Sequence, residues 1–425
     1  MDPHQPPTTN HQPIMHIAYI AHEFPPDAGF GGIGTYTCQI AKLMLASGCV
    51  PEVFSASFER NITESYEGFR VHRVKITSVK DFKNKVVKKF SEIHKNNPFQ
   101  LIECPEVFGE AELVKNKYPD VPLIVRLHTP GVLITTMNNA YTPFLQKIRF
   151  VAGSVLNGKF DLGYWSKHDK NQMSDPDFLI TKKAQLITAP SKAIKRWAIG
   201  FWGINPERIK VIPNPYMPPP DFLSIPLDAG ANYITFIGRL SVLKGIVGFT
   251  KSIPYVLRKY PNWKFRFIGI NEKSHIPQKS SKTWMQDQLH DYKDSIEFID
   301  RVDYSKFYKY YFDTEICIFP SLFESFSYVC AEAMSAGRAI VGSRNGGMAE
   351  LLDKGSGLLI NPYKVGSIVC AINKFIENPE LRKRCKKNAR DRILNHFNAK
   401  KIGKQMLNTY KQFDCREKNV EKNCS

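Results

Sequence analysis

Short apolar segments alternate with longer amphipathic segments along most of the chain. The apolar runs span four to eight residues and end near Gly, Pro or a polar side chain, as buried parallel strands do. The runs predicted as strands are residues 15–21, 50–56, 101–104, 123–130, 186–190, 233–237, 263–269, 295–299, 316–319 and 338–342. Apolar positions three and four apart predict helices at 33–47, 80–97, 327–335, 365–377 and 397–413. This alternation predicts an α/β fold with parallel sheets, which bind ligands at the carboxyl ends of their strands.

A proline-rich segment divides the chain into two halves. Five prolines fall within residues 215–226, and 425 residues are too many for one compact core. Each half begins with a strand, a glycine-containing loop and a helix, which is a Rossmann-type opening. The predicted boundaries are a disordered tail at 1–14, a first Rossmann-like domain at 15–215, a linker at 216–232, a second Rossmann-like domain at 233–395, a terminal helix crossing back to the first domain at 396–413, and a disordered tail at 414–425.

The composition is that of a globular protein, with 43% hydrophobic and 23% charged residues. The nine cysteines are scattered and form no C-x-x-C pair, which favours reduced core cysteines in a cytoplasmic protein and no metal site. No apolar run approaches the length of a membrane span, and residues 1–14 lack the features of a signal peptide. The net charge of +19 is compatible with an anionic nucleotide-sugar, an anionic membrane face or a generally basic proteome, and no nucleic-acid-binding motif accompanies it.

Two glutamates follow the predicted strand at 316–319. Glu324 lies in a predicted loop and Glu332 lies one to two turns inside the next helix, so both can flank the helix N-terminus. A helix N-terminus presents free N–H groups and a partial positive charge, which attract phosphate. The carboxylates can then accept hydrogen bonds from sugar hydroxyls. Taken alone, two glutamates at this spacing are more often a solvated pair.

A second candidate site follows the predicted strand at 233–237. Gly238 and Arg239 come directly after the strand, and Lys244 stands five residues later, before a helix. Because arginine binds phosphate oxygens bidentately and lysine adds a point charge, this spacing favours phosphate binding. A basic surface turn is the alternative interpretation.

Two features of the first half also indicate ligand binding. Residues 29–34 contain four glycines and connect the first strand to a helix, which is a weak signal because such turns are frequent. His128 lies near the end of the strand at 123–130, at the edge where an α/β sheet binds its ligands. A histidine at a strand end is usually structural, so the residue type alone does not decide its role.

These segments together resemble the retaining glycosyltransferases of family 4. The matching phrases are Gly238-Arg239-Leu240 with Lys244-Gly245, Pro320-Ser321, Glu324-Ser325-Phe326, Glu332-Ala333-Met334, Gly337, Gly346-Gly347-x-x-Glu350 and Arg126-Leu127-His128-Thr129-Pro130. The family usually has Gly after the phenylalanine, where this chain has Ser327, and a positive φ there would be unfavourable for serine. The resemblance covers roughly residues 15–413. It implies the GT-B fold, in which two Rossmann-like domains face each other across a cleft.

The resemblance implies transfer of a sugar from a UDP- or GDP-linked donor to an acceptor hydroxyl, with retention at the anomeric carbon and without a metal ion. The nucleotide-sugar is then a co-substrate, and no further cofactor is implied. The implied catalytic residues are His128, Arg239, Lys244 and Glu324. The implied donor-binding residues are Gly32, Ile33, Gly238, Arg239, Lys244, Arg301, Val302, Glu324, Ser325, Phe326, Ser327, Tyr328 and Glu332.

Individual roles follow from the same resemblance. Arg239 and Lys244 would stabilise the leaving diphosphate, Glu324 would hold the donor sugar and Glu332 would hold the ribose. In the first half, His128 would lie at the reactive centre, and the Gly32 and Ile33 backbone would approach the donor phosphates or the acceptor. The backbone at Arg301 and Val302 would contact the base.

Other functions remain open at this point. The GT-B fold also hosts nucleotide-sugar epimerases and phosphorylases, and a non-catalytic nucleotide-sugar-binding protein is a further alternative. A phosphorylase would need a cofactor-bearing lysine motif, which the sequence lacks. Loss of Arg239, Lys244 or Glu332 would favour the binding protein, and all three are present.

The acceptor is predicted to be a sugar or a lipid-linked sugar in polysaccharide, glycolipid or other glycoconjugate biosynthesis. Residues 131–173 are expected to form helices that cover the acceptor cleft. The helix at 80–97 is basic, and its apolar face either dips into an anionic cytoplasmic membrane surface or packs on the sheet. Core packing is the more frequent use of such a face, so peripheral membrane attachment is one of two alternatives.

Overall fold

The structure, a computed structural model, describes residues 15–29, 31–142, 144–157, 172–274 and 279–413. The predicted tails at 1–14 and 414–425 lie outside the described residues, as do residues 158–171 of the predicted cleft-covering segment.

The described residues form two sheets, of eight and six strands. The strands are β1 (His16–Ile20), β2 (Val50–Ser57), β3 (Ile62–Tyr66), β4 (Phe69–Lys75), β5 (Leu101–Pro105), β6 (Leu123–Arg126), β7 (Leu186–Ala189), β8 (Ile209–Val211), β9 (Tyr233–Ile237), β10 (Lys264–Ile268), β11 (Ile296–Ile299), β12 (Thr314–Phe319), β13 (Ala339–Ser343) and β14 (Leu358–Ile360).

Helices connect most of these strands. They are α1 (Gly32–Ala46), α2 (Val79–Asn96), α3 (Glu112–Lys117), α4 (Gly131–Tyr141), α5 (Phe144–Leu156), α6 (Pro176–Lys183), α7 (Lys192–Trp202), α8 (Pro220–Ser224), α9 (Ile246–Lys259), α10 (Ser281–Gln288), α11 (Phe307–Asp313), α12 (Tyr328–Ser335), α13 (Met348–Leu351), α14 (Val365–Glu377), α15 (Pro379–Asn395) and α16 (Ala399–Lys411).

The first sheet has the order β3-β4-β2-β1-β5-β6-β7-β8. Neighbouring strands run parallel except β3, which pairs antiparallel with β4. The hydrophobic pattern does not predict this edge hairpin, because β3 is largely exposed and carries few apolar residues. The other strands of the first half agree with the predicted parallel arrangement.

The second sheet has the order β11-β10-β9-β12-β13-β14, and all of its strands run parallel. The predicted α/β class with two parallel-sheet units is therefore confirmed. In the first sheet β1 lies between β2 and β5, and in the second β9 lies between β10 and β12. Successive strands are thus added first on one side of β1 or β9 and then on the other side. In such sheets a crevice forms at this point, outside the carboxyl ends of the strands.

Helix α16 ties the end of the described chain to the first sheet. The hydroxyl of Tyr410 donates a hydrogen bond of 2.6 Å to the Glu103 carboxylate on β5. A Cβ atom at Gly403 would lie 3.2 Å from Leu43 of α1, so the two helices approach closely. Helix α16 therefore packs against α1 and the first sheet.

The proline-rich segment is fixed to the second sheet by a buried arginine. Arg338 donates hydrogen bonds to the carbonyl oxygens of Pro226 (2.7 Å), Ala229 (2.5 Å) and Thr314 (2.9 Å). Burial lowers the pKa of its guanidinium to about 10, and the carbonyl groups offset part of that desolvation.

Helix α2 uses its apolar face for core packing. Phe82, Val86 and Phe90 are fully buried against the first sheet, in one cluster with Phe54. Lys83 and Lys89 form ion pairs with Glu112 and Glu92 respectively. The alternative in which this apolar face dips into a membrane is wrong, because the same side chains are already covered by the sheet.

Candidate active site

The loop between β9 and α9 lies directly against the end of β12. The backbone N–H of Leu322 donates to the Leu243 carbonyl oxygen at 2.8 Å. Gly245 has φ of 77°, and a Cβ atom there would lie 1.8 Å from the Pro320 carbonyl oxygen. Only glycine fits this approach, so the glycine that follows Lys244 brings the two predicted sites together.

Lys244 and Glu324 form an ion pair at the carboxyl edge of the second sheet. The hydroxyl of Ser321 donates a second hydrogen bond to the same Glu324 oxygen, at 3.0 Å. Arg239 lies on the same loop but pairs instead with Glu272, at 3.0 Å, and 57% of its side chain is exposed. The structure thus joins Lys244 to Glu324 and leaves the Arg239 guanidinium at the surface.

The double glycine supports Glu324 from the other side. The Gly347 N–H donates to the Glu324 carbonyl oxygen at 2.6 Å, and Glu324 and Gly346 form a parallel β-bridge. Cβ atoms at Gly346 and Gly347 would lie 2.1 Å from the carbonyl oxygens of Glu324 and Ser325 respectively. The two glycines therefore allow this backbone to approach and fix the position of Glu324.

Helix α12 begins directly after this loop. Its N-cap residue Ser327 has φ of −110°, so serine replaces the usual glycine of the family without a positive φ. Glu332 lies inside the helix, buried, and its carboxylate accepts a 3.4 Å hydrogen bond from the Tyr311 hydroxyl. Burial raises the pKa of Glu332 to about 8, although the tyrosine hydrogen bonds lower it.

Other predicted donor residues lie in different surroundings. The aromatic rings of Phe326 and Tyr328 are buried in the apolar cluster between the sheets, with Phe326 6.0 Å from Phe397 between ring centroids. Arg301 is exposed and Val302 half-buried, both after β11. The aromatic rings of Phe326 and Tyr328 therefore contribute to packing.

His128 follows β6 at the carboxyl edge of the first sheet. Its backbone N–H donates to both Glu106 oxygens, at 2.9 Å each. Its ring atom Nδ1 lies 3.0 Å from the Arg126 carbonyl oxygen, which can only accept, so in the neutral ring Nδ1 carries the proton. The atom Nε2 then presents a lone pair, and it is buried without a hydrogen-bond partner among the described residues.

The two sheets meet beside His128. The hydroxyls of Thr129 and Ser325 lie 3.4 Å apart, which brings the loop after β6 against the loop after β12. Gly32 is exposed in the first turn of α1, whereas the side chain of Ile33 is buried. The predicted residues of the two halves thus lie at sheet edges that face each other.

Two family descriptions match these two halves. The model of Glycosyltransferase Family 4 matches residues 30–216, and the model of Glycosyl transferases group 1 matches residues 221–392. Together the two models cover most of the chain, which therefore belongs to these glycosyltransferases. The predicted family is therefore confirmed.

Curated relatives match the chain over different lengths. An uncharacterized glycosyltransferase of Methanocaldococcus jannaschii is 21% identical over 93% of this chain and 98% of its own length. The chain spans less than half the length of several other curated relatives that it matches.

Two solved structures show the same fold. Sucrose-phosphate synthase from Thermosynechococcus elongatus has a TM-score of 0.70 at 19% identity, covering 94% of this chain and 98% of its own. The Anabaena HepE protein in complex with UDP has a TM-score of 0.64 at 17% identity, covering 93% and 99%. The predicted GT-B fold is confirmed by these similarities.

This glycosyltransferase also holds its two sheets together through Glu350. The two carboxylate oxygens of Glu350 accept hydrogen bonds from the backbone N–H groups of Lys192 (3.0 Å) and Ala193 (2.9 Å) in the first turn of α7. A carboxylate at this end of a helix also complements the helix dipole. Glu350 belongs to the matching motif, but its partners are about 157 positions away and the sequence does not reveal them.

Asp177 was not among the predicted site residues, and it supports the His128 region of the glycosyltransferase. Its carboxylate accepts hydrogen bonds from the N–H groups of Phe108 and Gly131, both at 2.8 Å. Burial, with the nearby charge of Glu106, raises the pKa of Asp177 to about 7. Phe108 has φ of 57°, which is unusual for an aromatic residue, so Asp177 holds a strained loop in place. An aspartate in the first turn of a helix gives no signal of this role.

Neither a candidate metal site nor a candidate membrane span is found among the described residues. No group of three or more His, Cys, Asp or Glu side chains is placed there to hold a metal ion. No helix there combines the length and the apolar content that a membrane span requires.

Proposed function

We propose that this glycosyltransferase moves a sugar from a UDP- or GDP-linked donor to an acceptor hydroxyl, with retention at the anomeric carbon. The observation that carries the proposal is that Lys244, Glu324 and His128, all predicted site residues, converge at one place. Lys244 pairs with Glu324, and the adjacent Ser325 contacts Thr129, the neighbour of His128. A donor held by the second sheet would therefore lie opposite His128.

The positive groups at this edge suit the leaving group. A nucleoside diphosphate departs with growing negative charge, which fixed cations and helix N-termini stabilise most effectively. Lys244, Arg239 and the N-terminus of α12 supply such groups in the proposed mechanism. They do the work that a divalent cation does in other enzymes, so we propose that transfer needs no metal ion.

The two glutamates recognise the sugars of the donor in this proposal. Glu324 is held by Lys244 and Ser321 at the sheet edge, where it accepts hydrogen bonds from the transferred sugar. Glu332 lies deeper and accepts from the ribose hydroxyls. The backbone at Arg301 and Val302 contacts the base, and the backbone from Ser325 to Tyr328 contacts the phosphates.

The acceptor attacks from the side of the first sheet. The bond between the anomeric carbon and the phosphate oxygen breaks, and a bond to the acceptor oxygen forms on the same face. The acceptor proton passes to the departing phosphate oxygen, so no covalent enzyme intermediate is required. His128 lies at this centre with the lone pair of Nε2 available to orient a hydroxyl group, and the Gly32 and Ile33 backbone lines the same cleft.

The proposed setting is the cytoplasm, where the donor is a co-substrate and no further cofactor takes part. The acceptor is a sugar or a lipid-linked sugar of a polysaccharide, glycolipid or other glycoconjugate. Binding of UDP by the Anabaena HepE protein supports UDP-sugars as the first donors to test.

A donor screen tests the proposal. Release of UDP, GDP or ADP from a panel of nucleotide-sugars is measured with the wild type and with Lys244→Ala, and the anomeric configuration of the product is read by proton NMR. We expect one donor to be used, with retention and with strong dependence on Lys244. Inversion, or conversion of the donor into its epimer without an acceptor, would replace the proposed reaction.

A further inference from the structure

Helix α5 turns apolar side chains toward solvent. Leu145 is 69% exposed, Ile148 42%, Val155 54% and Leu156 87%. With about 100° of rotation per residue, these four side chains and Ala152 fall within about 100° of the helix circumference. A surface helix normally turns such a stripe toward the core, whereas the apolar face of α5 points toward solvent.

The charge of this helix favours an anionic occupant. Residues 144–156 contain Lys147 and Arg149 and no acidic residue, and Arg149 is exposed at the border of the apolar stripe. The whole chain carries +19, so two copies meeting through this face would repel each other. An anionic bilayer instead attracts the chain and also takes up the apolar side chains.

The dimensions of α5 suit a helix that lies in the plane of a membrane surface. Thirteen residues form a rod about 20 Å long, and interfacial helices bury one apolar face at the headgroup boundary. Helix α2, which is also basic, lacks a free apolar face because Val86 and Phe90 are buried.

We propose that α5 docks this glycosyltransferase on an anionic lipid surface. Helix α4, which precedes α5, contacts the turn that contains Lys244, and Tyr141 at its end stacks on Tyr363 at 6.3 Å. A docked α5 therefore holds the cleft between the sheets beside the bilayer. This deepens the proposed function by naming a membrane-borne, lipid-linked sugar as the acceptor class.

Vesicle flotation tests the proposal with the full chain. The probes are vesicles of pure phosphatidylcholine and vesicles enriched in phosphatidylglycerol, each at low and at high salt. The variant carries Leu145→Glu and Leu156→Glu, and the control is Leu394→Glu, an apolar residue of α15 that is 39% exposed. The wild type and the control should bind the anionic vesicles at low salt, and the double variant should bind at least about tenfold more weakly.

The proposal is overturned if the wild type does not bind anionic vesicles, or if the double variant binds as the wild type does. An equal loss of binding in the control would also overturn it, as would a dimer, seen by sedimentation, that depends on α5 without lipid binding. Thermal midpoints and UDP affinity are compared to show that the double variant is folded. Vesicle binding requires no transfer, so an inactive wild type that still binds vesicles would contradict only the proposed function.

Discussion

The ammonium group of Lys244 and the carboxylate of Glu324 form an ion pair across 80 positions of sequence. The side chain of Glu324 is 12% exposed and that of Lys244 is 24% exposed, so the pair is shielded from much of the solvent. Glu324 thereby neutralises a cation that the proposed mechanism assigns to the donor diphosphate. In that mechanism the donor diphosphate and the Glu324 carboxylate compete for the Lys244 ammonium group.

Replacement of Glu324 by Gln should tighten UDP binding and slow transfer. Gln removes the carboxylate charge that competes with phosphate for Lys244, and in a partly shielded site one such charge is worth on the order of 1 kcal/mol. Isothermal titration should therefore show a Kd for UDP that is about threefold to tenfold lower. The same variant should have a lower kcat, because the amide holds the donor sugar less well.

The control is Glu377→Gln, which breaks an exposed pair with Lys259 on the surface. It should change neither quantity. If Glu324→Gln weakened UDP binding, Lys244 would not be a phosphate ligand, and the proposed division of roles would be wrong.

Replacement of Lys244 or Arg239 by Ala should lower kcat/KM by roughly 10²-fold or more, the scale of removing one preorganised charge donor. Arg239 is largely exposed, so its replacement should change the thermal midpoint little. Lys244→Ala should lower the midpoint somewhat, because it leaves the shielded Glu324 carboxylate without its cation. Lys259→Ala, which removes an exposed ion pair, serves as the matched control for charge. Near-normal transfer by Lys244→Ala would contradict the assignment of the phosphate site.

The sequence is sufficient to predict most of the parallel strands and the loop that carries Arg239 and Lys244, because both depend on local patterns. Buried runs such as residues 233–237 and 316–319 reappear as β9 and β12 with few changes at their ends. The spacing of Arg239 and Lys244 also places both cations correctly on one loop. The pairing of Arg239 with Glu272 is not predictable, because it depends on how the next loop folds back.

Contacts between the two halves are the part that local patterns cannot predict. The hydrogen bonds of Glu350 to α7 and of Tyr410 to Glu103 join residues far apart in sequence, and nothing in either segment marks its partner. The apolar stripe of α5 shows the opposite problem. Its residues look like those of an ordinary core helix, and only the structure shows that they face outward.

Replacement of Gly245 by Ala should destabilise the protein by more than about 2 kcal/mol, because the residue has φ of 77° and its Cβ would overlap the Pro320 carbonyl oxygen. The matched control is Gly366→Ala in α14, where a Cβ meets no atom within 4 Å. That change should stabilise the helix by about 0.5–1 kcal/mol. Differential scanning fluorimetry should thus show shifts of opposite sign, and equal shifts would contradict the close approach.

Transfer should survive excess EDTA once the donor is known. In the proposed mechanism Lys244, Arg239 and the N-terminus of α12 stabilise the leaving diphosphate, so chelation removes nothing that the reaction needs. The rate of UDP or GDP release is measured before and after chelation, and again after Mg²⁺ or Mn²⁺ is added back. A complete loss that either ion restores would show that a metal ion takes part.

The stability of the wild type should fall relative to Glu332→Gln as the pH rises from about 5 to about 8. Burial raises the pKa of Glu332 from 4.5 to about 8, so within this window the folded state holds a proton that the unfolded state has released. The free energy of unfolding therefore decreases with pH, by at most about 1.4 kcal/mol per pH unit, and the effect ends above pH 8.

Glutamine keeps the shape of the protonated carboxyl group and does not titrate. Asp177, whose pKa of about 7 shifts in the same direction, is present in both proteins and cancels in the difference. Chemical unfolding at several pH values gives the two curves, and parallel curves would show that Glu332 is already ionised in the folded protein at neutral pH.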